Sequence, residues 1–199
     1  MILQLVTLLE FLKKQHAHIL KKIKTPFQKK LLNIFIFLAL FAALSLPLHF
    51  LLWINFNATP VQIVVANTVG WMLDASGIAV SQNGLFLSAA TKTGPLTVKI
   101  IKDCVGWKSM LALFGLIFAT PKIEMKKRIA GLAAGVPVIF LGNLLRIYAT
   151  MYVTVYGGLE YWEVTHTYLW QEGLIFLVIA TWYVWLRICN SRSNKLSFI

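Results

Sequence analysis

Acidic residues are scarce in this chain: seven Asp and Glu stand against nineteen Lys and Arg in 199 residues. Charge of either sign is thin, at 13% of residues. No long polar stretch exists that could build a second, water-facing core, so a single domain over residues 1–199 is expected. Only two cysteines are present, Cys104 and Cys189, which excludes a disulfide framework. No His-Glu-x-x-His or paired-cysteine pattern offers a zinc site. No Gly-x-Ser-x-Gly elbow and no phosphate-binding glycine loop occurs. The aspartates are Asp74 and Asp103 alone; neither falls inside an apolar span, which argues against intramembrane aspartyl chemistry. Neither a metal nor a cofactor is expected.

What the chain has is apolar length. It is 58% hydrophobic, with a mean hydropathy of +0.73, and a soluble domain is rarely so apolar and so poor in charge. The class is an integral membrane α-helical bundle. The basic residues flank the apolar runs: Lys13 to Lys30 before the first, Lys122 to Arg128 between two later ones, Arg187 to Lys195 at the end. Such clusters mark the cytoplasmic side and attract anionic headgroups, so nucleic acid is not the expected partner.

Residues 1–30 read as a cytoplasmic basic segment with an amphipathic helix lying in the inner interface. Residues 31–54 form the first span. Residues 61–73 are apolar but too short to cross. If they did cross, the Lys122–Arg128 cluster would face outward, so an interfacial or re-entrant helix is expected. Asn83-Gly84, between residues 79–81 and 85–87, signals a β-hairpin. Lys92-Thr93-Gly94-Pro95 makes a second turn, and residues 97–101 a third strand. This predicts a small exterior β-meander that delivers Cys104 to the bilayer surface. Residues 105–120, 129–152 and 168–188 read as three further spans, with Pro137 as a kink and residues 189–199 as a cytoplasmic tail. The whole is expected to cross the cell membrane about four times, with both termini cytoplasmic and the site on the outer face.

On this topology three reactive side chains converge on the outer face. Cys104 lies at the outer end of its span. Arg146 lies about 25 Å of helical rise beyond Ile129, in the outer leaflet. His166 opens the last span from outside. A thiol at a helix N-terminus is expected to favour the thiolate, with Lys108 one turn on adding to the effect and Asp103 opposing it. An arginine within a span is costly and therefore a functional candidate. A histidine can take and return a proton near neutral pH. Each alone has an ordinary explanation: a small apolar membrane residue, a snorkelling cation, an interfacial imidazole. Their meeting at one depth is what argues for a cysteine nucleophile site. Asn143, one turn before Arg146, is placed to orient the guanidinium. Glu160, Glu163 and Glu172 are alternatives for pairing with Arg146 or for proton transfer.

Asp103-Cys104-Val105-Gly106-Trp107, then Asn143-Leu144-Leu145-Arg146-Ile147, then His166, resemble the exosortase/archaeosortase family. That family's pattern is a Cys with Gly two positions on, an Asn-x-x-Arg on a later span, and a His opening a further span. Over roughly residues 31–188 the chain looks like a compact, archaeal-type member, with Val105 where Ser or Thr is common. The resemblance implies a membrane cysteine protease or transpeptidase. Its partners would be secreted proteins ending in a motif, a span and a basic tail. It implies Cys104 as the nucleophile, Arg146 as oxyanion stabiliser and His166 as general acid and base, with Asn143, Lys108 and Gly106 supporting. The acceptor would be a lipid amine or another cell-surface amine. Two other classes compete with it: a non-catalytic membrane scaffold or assembly factor in which Arg146 pairs with Glu172, and a thiol-dependent acyltransferase.

Overall fold

The computed structural model describes residues 25–53, 57–167 and 172–191. The interfacial helix expected over residues 1–24, the start of the last span at residues 168–171 and the tail beyond residue 191 lie outside the described residues.

Helix α1 runs Pro26–Trp53, with proline at its first position, where no N–H is needed. Helix α2 runs Thr59–Ala75; its start is held by Asn57 Oδ1, which accepts from the Thr59 N–H at 2.9 Å. Strands β1 (Val80–Asn83), β2 (Phe86–Thr91) and β3 (Gly94–Lys99) follow. A 3₁₀ turn, Lys102–Val105, leads into α3, Trp107–Ala119. Helix α4 is continuous over Met125–Gly157, running through Pro137. The short α5 (Glu160–Thr167) and α6 (Leu174–Ser191) complete the order.

Among the described residues, two helices are long and apolar enough to cross a membrane: α1, over Pro26–Leu46, and α4. None of the apolar window of α1 and 28% of that of α4 is buried, far less than in the core helix of a soluble protein. The shorter apolar helices are α3 and α6. Large apolar side chains point outward on α1 (Phe27, Leu31, Phe35), on α4 (Ile129, Leu141, Leu145) and on α6 (Phe176, Ile179, Val184). A surface of that kind suits lipid rather than water.

Helix α4, at 33 residues, is about 50 Å long and belongs to two cores. Its first half packs with α3 and α6 around Leu113, Ile117, Ile139, Val178 and Trp185. Gly135 and Gly142 let the helices close up, since a Cβ there would run into Leu113 and Leu177; small residues at such contacts are the usual device for helix packing in lipid. Its second half packs with α2 and the sheet around Val65, Val69, Leu73, Leu87, Ile100, Leu144 and Met151. The buried stripe of α2 (Gln62, Val65, Ala66, Val69, Gly70, Leu73) has helical period. Its other face, with Val61, Val64 and Trp71, stays exposed.

The sheet is a β1-β2-β3 antiparallel meander. Its first turn differs from the expectation by one residue. Asn83 pairs with Phe86, so Gly84-Leu85 form the loop, and Gly84 has φ +57°. A glycine at positive φ in the first central position is what a type II′ turn requires, rather than the Asn-Gly centre of type I′. Two further boundaries move. A helix, α5, occupies what was expected to be an exterior loop carrying Glu160 and Glu163. Helix α3 is shorter than the expected span over 105–120 because residues 102–105 form the separate 3₁₀ turn.

At the opposite end, Arg128 closes the α3–α4 connection. Its Nη1 donates to the Phe118 carbonyl, Nη2 to that of Thr120 at 2.7 Å, and Nε to that of Ile123 at 3.0 Å. These satisfy carbonyls that a helix C-terminus leaves without intrahelical partners. Trp182 and Trp185 of α6 bind the same corner, at Thr120 Oγ1 (3.0 Å) and the Lys127 carbonyl (3.1 Å). Substituting Arg128→Met keeps the apolar stem and deletes these bonds. It should cost about 1.5–3 kcal/mol and lower the thermal midpoint in detergent. An unchanged midpoint would show that water serves these carbonyls equally well.

Candidate active site

The 3₁₀ turn that carries Cys104 is built from three sides. From below, Gln62 of α2, itself buried, donates through Nε2 to the Ile100 carbonyl at 2.7 Å. Within the turn, the Cys104 N–H donates to the Ile101 carbonyl at 2.9 Å. From α4, the Asn143 side chain, fully buried, donates through Nδ2 to the Cys104 carbonyl at 2.6 Å. Gly106 makes that approach possible. Its φ is +77°, and a Cβ at this position would lie 3.2 Å from Asn143 Cγ. The glycine therefore meets two demands, a left-handed backbone and room for the amide.

This corrects the expected role of Asn143. It was placed to orient Arg146, three residues on; its amide instead fastens the Cys104 backbone. Lys108 is likewise engaged elsewhere: its Nζ pairs with Asp103 Oδ2 at 2.9 Å, both groups being partly exposed.

Cys104 and Arg146 are both buried, at 6% and 7% exposure, and both line one cavity of about 230 Å³. Backbone and side chains of Thr97 to Ile101 form one wall; Ile147, Thr150 and Met151 of α4 and Trp162 of α5 form the others. Among the described residues no carboxylate lines it. Glu160, Glu163 and Glu172 are all exposed. The cavity is apolar apart from the thiol, the guanidinium, Lys99 and the threonines. Sequence reasoning overlooked Gln62, Thr150 and Trp162. A glutamine on the apolar stripe of α2 was the one available signal.

The thiol lies outside the spanning helices, and burial pushes its pKa above the ordinary value of 9.0; Asp103 adds to this, while a backbone hydrogen bond from Ile101 and the charge of Arg146 pull it back. The expected low-pKa thiolate at a helix N-terminus is therefore overturned. Desolvation outweighs the other influences, and the 3₁₀ turn together with Gly106 sets Cys104 before α3 rather than on its first turn. Burial thus favours the protonated thiol over the thiolate. His166 falls in α5, and its side chain lies outside the described residues.

A lipid-facing helical bundle that buries a thiol beside a guanidinium, under a small sheet, defines a membrane protein with a thiol-centred pocket. Residues 25–186 match the transmembrane exosortase family, and the chain belongs to that family. Its members are in general cysteine transpeptidases acting on secreted proteins with C-terminal sorting signals. No curated protein and no solved structure matches the chain.

The pH dependence of Cys104 alkylation, in a Cys189→Ser background, reads these influences separately. The wild-type midpoint should lie above 9.0. Removing Arg146 (Arg146→Gln) withdraws a charge that favours the thiolate and should raise the midpoint. Asp103→Asn removes an opposing charge and should lower it. A wild-type midpoint below 9.0, or opposite shifts, would contradict this electrostatic picture.

Proposed function

We propose that this chain is a membrane cysteine transpeptidase of compact archaeal type, cleaving a C-terminal sorting signal and passing the upstream protein to an amine. The single observation that carries the reading is the meeting of Cys104 and Arg146 on one cavity, walled by strand β3 and helix α4. The bundle has about four spans, formed by α1, α3, α4 and α6, with both termini in the cytoplasm. The sheet and the pocket lie on the outer face, where a secreted protein is within reach.

His166 takes the proton of the Cys104 thiol as sulfur attacks the scissile carbonyl. The buried, protonated thiol makes this base necessary, because little thiolate exists at rest. The tetrahedral oxyanion accepts hydrogen bonds from the Arg146 guanidinium, in a site that excludes water and so strengthens them. The C–N bond breaks, the imidazolium gives its proton to the departing amine, and a thioester remains on Cys104. The incoming amine, deprotonated by His166, attacks the thioester; the C–S bond breaks and the sulfur regains a proton. Water in place of the amine yields plain proteolysis. Asn143 and Gly106 hold the backbone on which the sulfur rides, and Lys108 offsets the charge of Asp103.

The test follows precursors of secreted proteins bearing a motif, a span and a basic tail in cells that carry the full chain. Cys104→Ala should halt their processing. Arg146→Ala should slow it by about a hundredfold to a thousandfold, the scale for an oxyanion donor. A Cys104→Ala protein that processes at the normal rate would sink the reading and favour a non-catalytic role.

A further inference from the structure

Strand β3 is an edge strand: the sheet ends with it, and among the described residues no strand pairs with its outer side. Which of its amides are free follows from the register. Thr91 faces Gly94 across the two-residue turn, and the pairing continues to Phe86 opposite Lys99. In an antiparallel ladder the bonded residues alternate. The Ile100 N–H donates to the Leu85 carbonyl at 2.8 Å, so Leu96, Val98 and Ile100 turn their backbone groups toward β2. Thr97 and Lys99 turn theirs to the open side. Pro95 belongs to the same outward set and has no N–H, a position where strand proline is tolerated. The usable edge is therefore the stretch from Thr97 to Lys99.

That stretch is a wall of the Cys104 cavity, and two residues beyond it the chain enters the nucleophile's turn. The other sheet edge, β1, packs against α2. An open edge is a hazard that proteins ordinarily cover or blunt. Here it is left open beside the reactive thiol.

We propose that the substrate polypeptide binds as an added strand on β3, its extended backbone exchanging hydrogen bonds with Thr97 and Lys99 so that the scissile carbonyl arrives at Cys104. This rests on the transpeptidase reading and specifies how its substrate is held. The added strand runs parallel to β3, because the segment upstream of the cleavage comes from the secreted domain and the segment downstream enters the bilayer. Backbone pairing of this kind gives affinity without demanding particular side chains, which pockets beside the strand then select. Trp162, Ile147 and Met151 line the cavity, so apolar residues near the cleavage are favoured.

The experiment measures precursor processing by the full-length protein carrying Lys99→Pro or Thr97→Pro, which delete one outward N–H each. Lys99→Ala and Thr97→Ala serve as references, and thermal unfolding and Cys104 alkylation monitor the fold. Each proline variant should process about threefold to tenfold more slowly than its alanine counterpart, the worth of one hydrogen bond. If proline disturbs the sheet, an α-hydroxy acid in place of residue 99 removes the same N–H without constraining φ, and the same slowing is expected. Proline or ester variants as fast as their references, with Cys104→Ala inactive, would overturn strand addition and leave the transpeptidase reading intact. Normal processing by Cys104→Ala would remove both.

Discussion

One buried hydrogen bond joins the two halves of the pocket: Asn143 Nδ2 to the Cys104 carbonyl, 2.6 Å, with both residues shielded from solvent. Inside a protein an amide without its partner is costly, so this bond specifies one docking of the 3₁₀ turn on α4. It depends on Gly106, because a side chain there would meet the amide. Arg146 lies three residues beyond Asn143, on the same side of the helix. Fixing Asn143 against the turn therefore fixes the guanidinium near the thiol. The Cys-x-Gly and Asn-x-x-Arg patterns, 39 residues apart in the chain, are two parts of one contact.

The molecule is organised along α4. One end of that helix packs within an apolar bundle whose outer surface suits lipid; the other packs under α2 and the sheet. The buried thiol lies at the sheet end, on the wall of a cavity. Burial favours the protonated form of the sulfur, the less nucleophilic one. The peripheral contacts serve the same geometry: Ser76 Oγ and the Tyr148 hydroxyl, 2.8 Å apart, tie α2 to α4, and the Leu159 N–H donates to Thr93 Oγ1 at 2.8 Å, tying the sheet's far turn to the α4–α5 corner.

The membrane class was legible in composition, since burying so much apolar area needs lipid as a partner. The order Cys104, Arg146 was legible as a pattern of costly or reactive residues at span ends. The hairpin was legible too, but its turn was displaced by one residue, because Asn83 and Phe86 pair and leave the positive φ to Gly84. Helix α5 was missed: Glu160, Glu163 and His166 give it little apolar face, and it is held by contact with α4. Gln62 was marked only by standing on an apolar stripe; its partner, the Ile100 carbonyl, lies 38 positions away.

By itself, then, the sequence determined what each segment can be: apolar helix, hairpin, or a turn that needs glycine. Those choices depend on local backbone preference and on periodic burial, both readable over a few residues. Tertiary structure decided partners and ionisation. It gave Asn143 to Cys104 rather than to Arg146, gave Lys108 to Asp103, and raised the thiol's pKa where helix position alone argued for lowering it. The reason is physical: desolvation and hydrogen-bond geometry depend on which groups lie within a few ångströms in space, and no spacing along the chain encodes that distance.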